Sequence, residues 1–294
     1  MGYFWRSMRF PMTLLAVFLA IGSAYSQPSD VISFKTFDLG SGNSLTLPSD
    51  ILQDRDGFIW ITSDEGRSQF DGTACRQFRP GDVSDYRASG KAWLAQDSTG
   101  CLWVLHHSGL AWYSKSQQKF NYLAGAITEP MNADLMAVRY DSARHCLWLG
   151  TNAGLYRFDI ATRRMHKTAV RESGNCVALL PIDQGLLAYV TMGKVIYYDP
   201  TRNTFRGISV PGKAALGSYY DPTDQVIWLG LEEQGLLRLN PRTNRAKFYK
   251  QKTSPYASIG KFPAISGDSI LWLGTMLGSR WRRLAKRPGR SWTP

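Results

Sequence analysis

Five tryptophans recur in one slot. The segments "GFIWITSDEGRSQFDG", "GCLWVLHHSGLAWYSK", "HCLWLGTNAGLYRFDI", "QVIWLGLEEQGLLRLN" and "SILWLGTMLGSRWRRL" place Trp60, Trp103, Trp148, Trp228 and Trp272 at the same point of a repeated pattern. A weaker copy, "GLLAYVTMGKVIYYDP", puts Ala188 there, and the steps are then 43, 45, 40, 40 and 44 residues. A unit of this length cannot bury its own apolar faces and must stack on its neighbours. A strand-rich period near 40–45 residues is the signature of a four-stranded propeller blade. Each copy parses alike: an apolar strand reaches an Asp turn, a second strand carries the Trp, and a third opens on Gly-Leu or a similar pair. A fourth strand follows, as in "KFNYL" (Lys119–Leu123) or "AKFYK" (Ala246–Lys250). Alternating apolar residues between Gly, Asp and Pro turns make strands the expected elements throughout. The predicted fold is all-β, a β-propeller of four-stranded blades. Five to six blades are present, read as part of a seven-bladed ring.

The stretch "QDRDGFIW" raises a metal question, because Asp54, Asp56 and Gly57 resemble part of a calcium loop. The same turn recurs as "DSTG" at Asp97, "DSAR" at Asp141 and "DPTD" at Asp221. Positions filled by Ser, Ala, Thr or Pro in the copies are held by backbone geometry, so the stretch reads as a turn. The tryptophans read as packing between blades, since one per blade at a fixed slot is core. His106 and His107 replace the "GT" of other copies, and adjacent strand residues point to opposite faces, which makes them poor joint ligands. No "HExxH" or paired "CxxC" occurs. The sequence therefore calls for no metal and no cofactor.

Of the net charge of +12, residues 1–26 carry +2 and residues 279–294 carry +6, so the body between them carries +4. A phosphate-binding face should sit on the folded body, and this distribution argues against a nucleic-acid partner. Residues 1–26 read as a signal peptide: Arg6 and Arg9 precede a short apolar run from Thr13 to Gly22, and Ala24 and Ser26 suit cleavage. The run is shorter than the roughly 20 residues a membrane helix needs, with an uncleaved anchor as the alternative. The expected address is periplasmic or secreted, with no transmembrane helix in the mature chain. Cys101 and Cys146 occupy equivalent points of two repeats, too far apart to bridge. Free, buried cysteines are expected.

At the motif "D-x-x-G-x-[IL]-W-[IVL]-[GT]-[TS]-x-x-G-L-x-x-[FY]-D" the chain resembles the two-component regulator propeller repeat, over roughly residues 32–278. The match is best in "ILQDRDGFIWITSDEGRSQFDG" and "CLWLGTNAGLYRFD". The resemblance implies the extracytoplasmic sensor region of a hybrid two-component histidine kinase, which reads oligosaccharides and functions as a homodimer. Such sensors carry more propeller, a membrane helix and a kinase core, for which the sixteen residues after Gly278 leave no room. This gives three expected regions: the signal peptide at 1–26, propeller repeats at 27–278, and a basic non-repeat tail at 279–294 read as a frameshift or truncation product. A genuine basic tail for membrane or cell-wall adhesion is the alternative. "VISFKTFDLG" (Val31–Gly40) looks like a fourth strand that would close the last blade.

The leading functional expectation is an extracytoplasmic ligand-sensing module without a kinase core, and so not itself an enzyme. A secreted propeller enzyme of lyase or glycoside hydrolase type, or a protein-interaction scaffold, are the alternatives. Candidate ligand-binding residues on the loops after the Trp strand are Asp64, Glu65, Arg67, His106, His107, Glu232 and Glu233.

Overall fold

The computed structural model describes residues 48–63, 66–78, 91–106, 109–123, 134–171, 174–182, 187–191, 193–210, 215–231, 235–249, 264–265, 270–273 and 282–285. The signal peptide and the Val31–Gly40 strand expected from the sequence lie outside them. Among the described residues, no helix is long and apolar enough to cross a membrane.

The described chain is a succession of antiparallel sheets. Blade 1 comprises β1 (Asp50–Gln53), β2 (Ile59–Ser63), β3 (Gly66–Phe70) and β4 (Cys75–Phe78). Blade 2 comprises β5 (Ala92–Gln96), β6 (Leu102–His106), β7 (Gly109–Ser114) and β8 (Lys119–Tyr122). Blade 3 comprises β9 (Leu135–Asp141), β10 (Cys146–Thr151), β11 (Gly154–Asp159) and β12 (Arg164–Lys167). Blade 4 comprises β13 (Cys176–Pro181), β14 (Leu187–Thr191), β15 (Lys194–Asp199) and β16 (Thr204–Ser209). Blade 5 comprises β17 (Ala215–Asp221), β18 (Val226–Leu231), β19 (Gly235–Leu239) and β20 (Ala246–Tyr249). A three-stranded sheet of β21 (Ala264–Ile265), β22 (Ile270–Leu273) and β23 (Arg282–Ala285) follows. Each four-stranded sheet is a meander in chain order. This is the expected propeller.

Part of the basic segment after Gly278 is a strand: β23 pairs with β22, placing Trp272 opposite Arg283. Strand pairing is made by backbone N–H and C=O groups, which Arg-Arg-Leu-Ala supplies as well as any apolar run. Pro288, which lacks the N–H, comes only later.

Period-2 alternation gives each blade two apolar faces. Along β6, Leu102 and Val104 pack towards blade 1 while Trp103 and Leu105 pack towards blade 3. Along β14, Leu187 and Tyr189 join blade 3 while Ala188 and Val190 join blade 5. The recurrent Trp faces the following blade and meets the aromatic ten residues beyond that blade's own Trp. Trp60 lies 4.8 Å from Tyr113, Trp103 5.7 Å from Phe158, and Trp148 5.6 Å from Tyr198, ring centre to ring centre. Where Ala188 fills the slot, the facing residue is Leu239, in the same cluster. The two halves of the repeat motif are thus partners across each seam.

In blades 1 to 3 the recurrent Asp is tied to the same blade's Trp. Asp54 Oδ1 accepts the backbone N–H of Asp56 and Phe58 (2.9 and 3.0 Å), and its Oδ2 accepts the Trp60 indole N–H at 2.7 Å. Asp97 does the same for Thr99, Cys101 and Trp103, and Asp141 for Ala143, Arg144 and Trp148. The opening stretch is a turn whose carboxylate organises the backbone and orients the core indole. In blades 1 and 2 the turn closes on Gly57 and Gly100, both at positive φ. In blades 3 and 5 it is one residue longer, with His145 and Gln225 left-handed, so Asp and Trp are seven rather than six apart. The glycine that opens the third strand has its own cause. At Gly154, φ is +122° and a Cβ would stand 2.2 Å from the Val170 carbonyl oxygen, so no side chain fits.

The turn in blade 3 makes the fold acid-sensitive. Burial pushes the Asp141 carboxyl up, but the Trp148 indole N–H and the Arg144 guanidinium, at 3.0 Å each, outweigh it and hold the group below its ordinary 3.8. A carboxylate depressed in the folded state contributes stability above its unfolded pKa, and that contribution is lost as pH falls through the folded value. The urea midpoint of the wild-type protein is therefore expected to fall below about pH 4, and Asp141→Asn to flatten that acid limb. An unchanged limb in the variant would assign the acid loss to other groups.

All four cysteines are free, with Cys146 and Cys176 buried. Burial pushes the Cys101 thiol up to about 11 and Cys146 up to about 12. They pack as small apolar groups, as expected.

Candidate functional site

The first strand of every four-stranded blade contributes to one cavity of about 270 Å³. Its wall is Ser49–Leu52, Trp93–Leu94, Ala137–Arg139, Val177–Leu180 and Ser218, so β1, β5, β9, β13 and β17 converge on it. The fourth strands β12, β16 and β20 are mostly exposed, so the meanders run outward from this axis.

Most of the wall is apolar side chain or backbone. Three side chains break the repeat. Arg139 stands opposite Trp148 in the ladder, a position held by Leu52, Ala95, Leu180 and Tyr219 in the other blades. Ser218 occupies the point next to Tyr219, where the others carry Ile51, Leu94, Val138 and Leu179. Asp50 occupies a point held elsewhere by Trp93, Ala137, Ala178 and Gly217. Arg139 reaches from blade 3 towards blade 4, where its Nε donates to the Leu179 carbonyl at 3.4 Å. Its side chain is exposed to the cavity, while protein surrounds it on most sides. That enclosure pushes the guanidinium down from its ordinary value, and the Asp50 carboxylate pulls it back up; an arginine remains charged under such shifts. Asp50 accepts the backbone N–H of Ile51 (3.0 Å) and of Leu94 across the seam (2.8 Å). The Ser218 hydroxyl is a buried oxygen without a hydrogen-bond partner.

The candidates named from the sequence fall elsewhere. Asp64, Glu65, His107, Glu232 and Glu233 lie outside the described residues. Arg67 and His106 were placed on loops, and the structure corrects this: Arg67 is the second residue of β3 and His106 the last of β6. They are 4% and 1% exposed. Arg67 shares a face with Trp60 and Thr62 and lies over the Phe120 ring, 4.9 Å from its centre; His106 shares the opposing face of blade 2 with Leu102 and Val104. The two enter the seam between blades 1 and 2 from opposite sides. Their polarity suggested loops, but the propeller meander carries the strand past the position where a loop was drawn.

Arg139, Asp50 and Ser218 lie on the first strands of their blades, before the Trp strand, whereas the sequence candidates all come after the Trp itself. The signal was in the sequence: aligned on the Trp slot, the first strands are apolar or aromatic at these points except where these three residues stand.

No family model matches the sequence, and no curated protein matches it. Solved structures do match. The extracellular domain of the hybrid two-component system BT4673 from B. thetaiotaomicron superposes with a TM-score of 0.63 at 21% identity, over 84% of this chain and 34% of that one. The corresponding domain of BT3049 from the same organism gives 0.65 at 20%, over 83% and 35%. Virginiamycin B lyase from Staphylococcus aureus gives 0.68 at 12%, over 83% of both chains. The chain therefore spans about a third of the sensor ectodomains it matches and most of the lyase. Five meander sheets around one axial cavity give this chain the β-propeller fold found in the extracellular domains of B. thetaiotaomicron two-component systems.

Proposed function

We propose that the chain is an extracytoplasmic ligand-sensing propeller of a two-component signal-transduction system, exported to the periplasm or beyond, with an oligosaccharide as the ligand it recognises. The observation that carries this reading is the axial cavity. Five strands from five blades wall it, and three of them break an otherwise apolar pattern with polar side chains. A repeat that departs from its own pattern at one convergent point has a use there other than packing. The likeness to sensor ectodomains supports the same reading, as does the signal-peptide pattern at the N-terminus.

The likeness to the lyase keeps a catalytic alternative in view. General acid–base work requires a group able to exchange a proton at the site. Arg139 stays protonated, and Asp50 is committed to two backbone N–H groups, so the described cavity is built to hold rather than to react. Calorimetric titration with neutral and acidic oligosaccharides, run beside a turnover assay on the same panel, decides between them. Binding without product formation is the expected result; product formation overturns the sensor reading.

A further inference from the structure

Resting on that reading, we propose that the axial cavity takes a carboxylate-bearing ligand, with Arg139 as its anchor and Ser218 as a second hydrogen-bonding group. Of the five N–H donors of a guanidinium, only Nε is used, at 3.4 Å to Leu179. The Nη1 and Nη2 groups carry no hydrogen bond among the described residues. A guanidinium that opens into a cavity with its two terminal nitrogens unengaged is free to take a ligand's oxygens in place of water. The planar fork of arginine matches the two oxygens of a carboxylate, giving paired charge-assisted hydrogen bonds.

Ser218 is an independent observation. Its hydroxyl lies in the same wall, buried and without a partner, and such groups in folded proteins normally have one. Arg139 points from blade 3 towards blade 4, and Ser218 from blade 5 towards blade 4. The two therefore flank β13 from opposite sides, and one oxygen-rich ligand lying along Val177–Leu180 meets Arg139 directly and Ser218 once its hydroxyl, closed to solvent as it stands, turns to the cavity. Asp50 narrows the class further. It lines the same cavity, so a dianionic phosphate meets about twice the repulsion that a monoanion does. The half-buried Trp93 ring supplies an apolar wall beside it. A volume of about 270 Å³ is at the small end of ligand sites, fitting one acidic unit rather than a long chain.

The test is calorimetric titration of the full chain with D-glucuronate, acetate, inorganic phosphate and a neutral hexose, repeated on Arg139→Gln and Ser218→Ala. Glucuronate is expected to bind the wild-type protein more tightly than the hexose or phosphate, with acetate weaker but detectable. Arg139→Gln is expected to weaken glucuronate roughly 10- to 100-fold, and Ser218→Ala about threefold to tenfold. Neither change should move the ligand-free thermal midpoint appreciably, because Arg139 makes one long hydrogen bond and Ser218 makes none. Equal glucuronate affinity in Arg139→Gln and wild type overturns the proposal, as does tighter binding of phosphate. If no carboxylate binds but a neutral oligosaccharide does, this inference falls while the sensor reading stands; if nothing on either panel binds, both fall.

Discussion

Replacing Trp148 with alanine is expected to destabilise the protein by about 4 kcal/mol, within the roughly 3–5 kcal/mol seen for large buried aromatics. Trp148 is almost fully buried in the seam between blades 3 and 4, where its ring meets Tyr198 edge-on. The substitution leaves a cavity that Arg139 and Arg157, its neighbours in the ladder, cannot fill without burying charge. It also removes the indole N–H from Asp141, taking away one of the interactions that hold that carboxyl low. For a domain of this size the thermal midpoint should fall by roughly 8–16 °C. Trp112 is the control. It is half-buried beside Trp103 and under Arg163, outside the recurrent slot, and Trp112→Ala should cost only about 1–2 kcal/mol. Equal losses from the two variants would show that the slot has no special weight and that indole area alone sets the cost.

Asp97→Ala is expected to cost about 3 kcal/mol, although it removes only one carboxylate from a turn. The reason is the number of donors it leaves behind. Oδ1 accepts the Thr99 N–H, the Thr99 hydroxyl and the Cys101 N–H at 2.9, 2.5 and 3.0 Å, and Oδ2 accepts the Trp103 indole at 2.8 Å. Asp97 and Trp103 are both buried, so the indole N–H in particular has no water to turn to. Asp97→Asn should recover only part of the loss. An amide has one oxygen, so its NH₂ must face either the indole N–H or the turn N–H groups, donor against donor. Urea unfolding gives the two energies, and exchange of the Trp103 indole proton reports whether its hydrogen bond survives. Full stability in Asp97→Asn would mean that the turn, not the indole bond, carries the effect.

Much of this architecture was legible in the chain because the repeat is periodic in residues whose physics is local. The Asp turn, the Trp strand and the glycine that opens the third strand follow from hydrogen-bonding reach, alternation and backbone freedom, and each lies where the sequence placed it. The strand at Arg282–Ala285 was not legible, because its sequence carries no alternation and its pairing needs only backbone. Arg67 and His106 were misplaced for a related reason: a polar residue on a strand and one on a loop read alike until the seam that buries them is built.

The sequence by itself determined the blade, its period and which residues make its two faces, since all of these rest on contacts within some forty residues. Only the tertiary structure decided which blade meets which, and what gathers at the axis. Arg139, Asp50 and Ser218 are far apart in the chain and sit on three different sheets. They share one cavity because every meander presents its first strand inward, a consequence of stacking sheets around an axis that no single repeat encodes.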